Sequence, residues 1–181
     1  TRLFQFPAMP YLLNDMLLKN YTYLECLFLF KDNVWISYLP NEVINQTLED
    51  GLTIFKDQAL FKKWEDEFEA YKKEAEKYFK KIVEQNKLSK KDLEKFVELL
   101  CGFYYFYIIT EFFYTDKAYQ ASKGNPVVQK HLMRFEHIKN DGRAFFNRMA
   151  LEGDSYLMEV LSILSNQFNL PVATLLQYDI Q

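Results

Sequence analysis

The sequence predicts a mainly α protein, an antiparallel helical bundle with a small N-terminal β-hairpin. Three observations carry that expectation. Beyond Pro40, apolar residues recur at alternating steps of three and four, the spacing of one helix face. Glycine is scarce, 5 residues in 181, which leaves little material for tight β-turns or phosphate-cradling loops. Aromatic and β-branched runs of strand length occur as a pair only before Pro40.

The elements follow in order. The first ten residues, with Pro7 and Pro10, are expected to run extended across a surface, and a short apolar helix covers Tyr11 to Lys19. Tyr23 to Phe30 and Val34 to Tyr38 flank Lys31-Asp32-Asn33, a hairpin signature over 23–39, because Asp and Asn accept turn conformations. Pro40 ends the second strand, and Asn41 is placed to cap a helix through about Leu52. Phe61, Trp64, Phe68, Tyr71, Ala75, Tyr78 and Ile82 mark one apolar face of a helix from about Gln58 to Gln85. Ser89 and Asp92 form a capping-box-like restart after Asn86-Lys87-Leu88, which makes residues 58–114 a long helical hairpin within a helical stretch of 41–114. Its second arm turns apolar all round at LLCGFYYFYIITEFFY, Leu99 to Tyr114. Sixteen residues with Glu111 and four tyrosines fall short of the roughly 20 needed to cross a bilayer, so a buried central helix is expected. Asn125 and Pro126 open the C-terminal helices of 126–169. The first extends past Gly142 to Met149. Gly153-Asp154-Ser155 interrupts the pattern, and a last helix through Leu157, Val160, Leu161, Leu164 and Phe168 closes at Asn169 and Pro171.

Composition limits the function. The chain has 22 Lys+Arg against 25 Asp+Glu, a net charge of −3, so no basic excess marks a nucleic-acid partner. Between Lys56 and Lys95 there are 12 lysines and 10 acids, which makes that segment a solvated face. Cys26 and Cys101 are expected to be reduced and buried, in a cytoplasmic protein. Both termini look cut, so residues 1–181 are expected to be a single helical domain excised from a longer chain.

No nucleotide-binding glycine loop, C-x-x-C or H-E-x-x-H spacing is present, and no catalytic, cofactor or metal residue is assigned. His131 and His137, six apart, are separated by about 600° of helical turn and do not share a face. His137 and Asp141 are spaced to pair on a surface.

Two features retain a functional reading. Three of the four arginines fall at Arg134, Arg143 and Arg148, and their planar forks suit phosphate or carboxylate. The favoured alternative is ion pairing with Glu136, Asp141 or Glu152, or snorkelling over apolar surface. Eight aromatics crowd 103–107 and 112–114. There Phe103, Tyr104, Tyr107, Phe112 and Tyr114 could line an apolar pocket or interface, or could be core.

The stretch FEHIKNDGRAFFNRMALEGDSYLMEVLSILSNQFNLPVATLLQYDIQ, residues 135–181, resembles the helical segment of phosphoenolpyruvate-utilising enzymes. These are the phosphoenolpyruvate synthase and pyruvate phosphate dikinase-like proteins, with their antibiotic phosphotransferase relatives. The likeness lies in Arg143 and Arg148 on a helix, the Gly153-Asp154 break, the Leu-rich helix and Leu175-Leu176-Gln177-Tyr178 before an acidic step. FLFKDNVWISYLP and the Lys/Glu helix are similar in order and texture to the preceding region, extending the likeness over Tyr23 to Gln181.

The resemblance implies a parent in which an ATP-grasp domain phosphorylates a histidine on a swivelling domain. That histidine lies in a Gly-rich, Thr/Ser-His context, matched neither by Lys130-His131-Leu132 nor by Glu136-His137-Ile138. No catalytic residue is carried over, and ATP and Mg belong to the parent alone.

The expected function is a non-catalytic helical module of a phosphotransferase, positioning neighbouring domains of the same polypeptide or forming part of an acceptor pocket. The alternative is an independent helical binding module for an apolar ligand or partner helix. Neither expectation includes nucleic acid or a membrane, and either leaves room for a homo-oligomer.

Overall fold

The computed structural model describes residues 2–7, 27–31, 34–38, 40–113 and 116–177, and side chains from Tyr38 onward except 39, 111 and 112. These residues are mainly helical. Three short strands come first: β1 (Arg2–Pro7), β2 (Leu27–Lys31) and β3 (Val34–Tyr38). Both β1 and β2 pair antiparallel with β3, giving the order β1-β3-β2. The expected helix at Tyr11–Lys19, the turn residues Asp32 and Asn33, and Cys26 lie outside the described residues.

Helix α1 runs Asn41–Lys56. Here Asn41 is the first helical residue and not the cap expected of it. Pro40 holds the cap position without a side-chain bond, since its extended backbone already directs the chain into the helix. The helix also continues four residues past Leu52. Gly51 makes this compatible with packing, because a Cβ there would stand 2.7 Å from the Phe113 ring.

Helix α2, Gln58–Val83, starts on Asp57, whose carboxylate accepts the Ala59 and Leu60 amides. Of the expected stripe, Phe61, Trp64, Phe68, Ala75 and Ile82 are buried and Tyr71 and Tyr78 are half-buried, while Phe79, outside that stripe, is buried beside Tyr78. Helix α3, Lys90–Phe113, opens with the Ser89–Asp92 exchange: Asp92 Oδ2 accepts from Ser89 N at 2.9 Å, and Ser89 Oγ accepts from Asp92 N at 3.2 Å. The two helices run antiparallel. Phe68 meets Phe106, Tyr71 O–H donates to the Glu98 carbonyl, and Tyr78 O–H donates to that of Asp92. Close approach is possible because residue 102 is glycine; a Cβ would sit 1.9 Å from the Tyr71 oxygen.

Helix α4, Asp116–Ser122, packs on α1 and on α5, Pro126–Phe146. The Asn125 side chain caps α5 by accepting from Val127 and Val128. This helix does not continue regularly to Met149. It ends at Phe146 and widens into a π-turn, Asn147–Leu151, where the Glu152 amide reaches back to the Asn147 carbonyl at 2.9 Å. Ser155 then caps α6, Tyr156–Phe168, which stops at Asn169 in the left-handed conformation (φ 53°). A final turn, α7 (Val172–Leu175), folds back on α6.

The contacts fix how these pieces lie. Along α2, Phe61 meets His131, Trp64 meets Phe135, Lys72 meets Asp141, Phe79 meets Tyr156, and Leu88 beyond its end meets Gln167. Numbers rise together on both sides, so α5, the π-turn and α6 form a third rod parallel to α2 and broken in the middle. Helix α3 is the central element, packed by α1, α2 and α5. At the base of the bundle Phe55 of α1 touches Phe61, Phe113 and Phe135 at 5.0–6.4 Å between ring centroids.

Candidate functional site

The arginines do not converge. Arg134 and Arg148 stand 14 residues apart along the third rod, about 20 Å at the usual helical rise. Arg134 crosses to α2, where Nε bonds Glu65 at 2.5 Å and Nη2 lies 3.8 Å from Glu69. The Glu65 bond, with Glu69 and Asp141 nearby, raises the affinity of its guanidinium for its proton. Arg148 leaves the π-turn and lies 4.6 Å over the Tyr156 ring. Its Nη2 donates to Glu159 at 3.0 Å, while Nη1 is buried, makes no hydrogen bond among the described residues and stands 3.7 Å from Asp154. Burial opposes the Arg148 charge, and Glu159 and Asp154 more than restore it. Arg143 is exposed and has an interaction of its own.

Ion pairing was the alternative expected from the sequence, but neither Arg134 nor Arg148 forms an ion pair with Glu136, Asp141 or Glu152 among the described residues; Asp141 acts on Arg134 only at longer range. The acids that bind them come from α2, the Gly153 loop and α6.

The aromatic block divides. Phe103 is fully buried, with Phe68, Tyr71, Phe106 and Phe145 around it. Tyr104 is buried and Tyr107 half-buried; their rings stack at 5.7 Å and both meet Phe146. Phe112 belongs to α3, but its side chain lies outside the described residues, as does Tyr114 entirely. The described part of the block therefore faces other helices of the bundle, apart from the exposed Tyr105.

Between α2 and α5 runs an open groove of about 460 Å³, lined by Glu69, Arg134, His137, Ile138, Asn140 and Asp141. Its charges are already matched: Arg134 by Glu65 and Glu69, and Asp141 by Lys72 at 2.6 Å. The Lys72 ammonium also sits about 6 Å from the Phe68 and Phe145 rings. Asp141 pairs with Lys72 and not with His137, the surface partner expected from the sequence. Among the described residues no group of three or more His, Cys, Asp or Glu side chains is arranged to hold a metal ion.

Two buried polar groups, His131 and Trp64, have surroundings that the sequence reading did not foresee. His131 is 5% exposed, stacks on Phe61 at 4.3 Å and places Nδ1 2.8 Å from the Phe55 carbonyl. A carbonyl only accepts, so Nδ1 carries the proton. Trp64 is buried among Phe68, Phe106, Phe113 and Phe135, and its indole N–H has no acceptor among the described residues. The apolar spacing that marked residue 64 could not show this, because the missing partner is a property of the assembled core.

No helix among the described residues is long and apolar enough to cross a membrane. No protein-family model, no curated protein and no solved structure matches the chain.

Proposed function

We propose that the chain is a non-catalytic helical module of a multidomain phosphoenolpyruvate-utilising phosphotransferase, with β2–β3 as its N-terminal hairpin. In this reading it works in the cytoplasm, holding neighbouring domains in position or completing an acceptor pocket. The supporting observation is the α2–α3 pair. Its members are tied by Tyr71–Glu98 near the middle and Tyr78–Asp92 near the loop, and Gln167 braces the loop itself. A domain that carries phosphate between separated sites needs a stiff body to move against, and two helices fastened along their length suit that role. The phosphotransferase context rests on the resemblance of 135–181, with ATP and Mg assigned to the parent. Tyr105, 43% exposed in the apolar half of α3, favours the second reading of a binding module for an apolar ligand or partner helix.

The test is to incubate the full-length gene product with phosphoenolpyruvate labelled at phosphorus. Acid-labile label is expected on a histidine outside residues 1–181, unchanged in His131→Gln and His137→Gln variants. Label on either of those residues would make this chain catalytic. No histidine label at all would remove the phosphotransferase reading.

A further inference from the structure

The near balance of charge between Lys56 and Lys95 hides a segregation that the fold makes visible. Residues 80–91 form the end of α2, the loop and the start of α3, and hold five lysines (80, 81, 87, 90 and 91) against one acid, Glu84. The total charge of the chain is −3, so this tip is opposite in sign to the molecule as a whole. All six side chains are exposed. Lys80 is paired with Glu76 and Lys90 approaches Glu94 at 3.7 Å, whereas Lys81 and Lys91 act on the neighbouring Asp92 carboxylate from beyond ion-pair distance, and Lys87 has no ion pair among the described residues.

The third rod brings an apolar group to the same end. Gln167 accepts from the Leu88 amide at 2.9 Å and donates to its carbonyl at 3.1 Å, which seats the end of α6 against the loop. The next residue, Phe168, is 58% exposed.

We propose that this tip is a docking surface for an acidic protein segment, whose carboxylates meet Lys81, Lys87 and Lys91 while an apolar side chain packs on Phe168. Charge complementarity selects the occupant. Exposed lysines that outnumber Glu84 and Asp92 at one end of a hairpin match a short Asp/Glu run, whereas a nucleic-acid backbone is served by a longer basic stripe. The inference is independent of the phosphotransferase reading.

The test uses the full chain and a fluorescent twelve-residue Glu/Asp-rich peptide with one central Leu, followed by anisotropy. A Gln/Asn version, phosphatidylserine vesicles and single-stranded DNA serve as comparison probes. Binding of the acidic peptide is expected to weaken about tenfold between about 0.05 M and about 0.3 M salt, as screening of exposed charges requires. The triple variant K81Q/K87Q/K91Q should weaken it about tenfold or more, and Phe168→Ala should weaken it about threefold, while K56Q/K73Q/K130Q, away from the tip, leaves it unchanged.

The glutamines preserve helix formation, and circular dichroism checks that each variant is folded. Equal loss in the tip and control variants would overturn the proposal, as would unweakened binding in the tip variant. Tighter tip-dependent binding of vesicles or DNA would overturn it in favour of those partners. Self-association abolished by the tip variant would make a second copy the occupant instead.

Discussion

His131 shows how one side chain completes a helix that it does not belong to. The last carbonyls of α1 have no partner within the helix, and the amide that would serve Phe55, that of Ala59, is turned to the Asp57 carboxylate. The imidazole of His131, 76 positions away, supplies the missing donor and stacks on Phe61 to hold its plane. Replacing it by leucine keeps the bulk but leaves a buried carbonyl without a donor, a cost of about 1–3 kcal/mol. Urea denaturation of His131→Leu should show that loss at neutral pH. An unchanged midpoint would mean that another group reaches the Phe55 carbonyl.

At the scale of an element, the start of α3 depends on the Ser89–Asp92 exchange. The hydrogen bonds from the Ser89 hydroxyl and amide, helped by Lys81 and Lys91, hold the Asp92 carboxyl below its usual range. A depressed folded value means that this contribution is complete above the ordinary carboxylate range and is lost as pH falls through the folded value. Asp92→Ala should therefore cost about 1 kcal/mol at neutral pH, a typical capping loss. The gap from the parent should narrow below about pH 4, where an ordinary aspartate also protonates. Denaturation midpoints at several pH values measure both.

This cap was legible in the sequence because its two partners are three residues apart. The α2 stripe and the Asn125-Pro126 start were legible for the same reason. Arg134 was not, since Glu65 and Glu69 approach it only after α2 and α5 lie side by side. Nor was the end of α5: the residues of the π-turn keep an apolar rhythm, and only the backbone carries the widening. Asn41 failed as a cap because the preceding proline had already set the entry direction. The basic tip was invisible to a count over 56–95, which averages across a helix whose two ends face different surroundings.

Across the whole molecule, the α2–α3 contact sets a pH limit on stability. Burial, with Glu98 adding to it, pushes the Tyr71 hydroxyl up to about 12, and burial with Asp92 raises Tyr78 as well. Raised values give stability that is complete below the ordinary tyrosine value, near pH 10, and lost as pH climbs through the folded ones. The bundle should weaken between about pH 10 and the Tyr71 value of about 12. Tyr71→Phe should be less stable by about 1 kcal/mol at neutral pH, having lost its bond to Glu98, yet show a flatter alkaline decline. Thermal unfolding in buffers across that range measures both slopes, and equal slopes would show that Tyr71 does not govern the limit.

The break in the third rod has a mechanical consequence. Helices α2 and α3 run unbroken past the point where α5 gives way to the π-turn and the exposed Gly153. Two continuous members fastened side by side behave like a ladder, rigid against bending within their own plane. A strut lying on that ladder and cut at mid-span adds thickness at both ends but carries no bending load across the cut. A force applied at the Lys-rich end would thus flex the bundle out of the α2–α3 plane, with residues 147–155 as the crease.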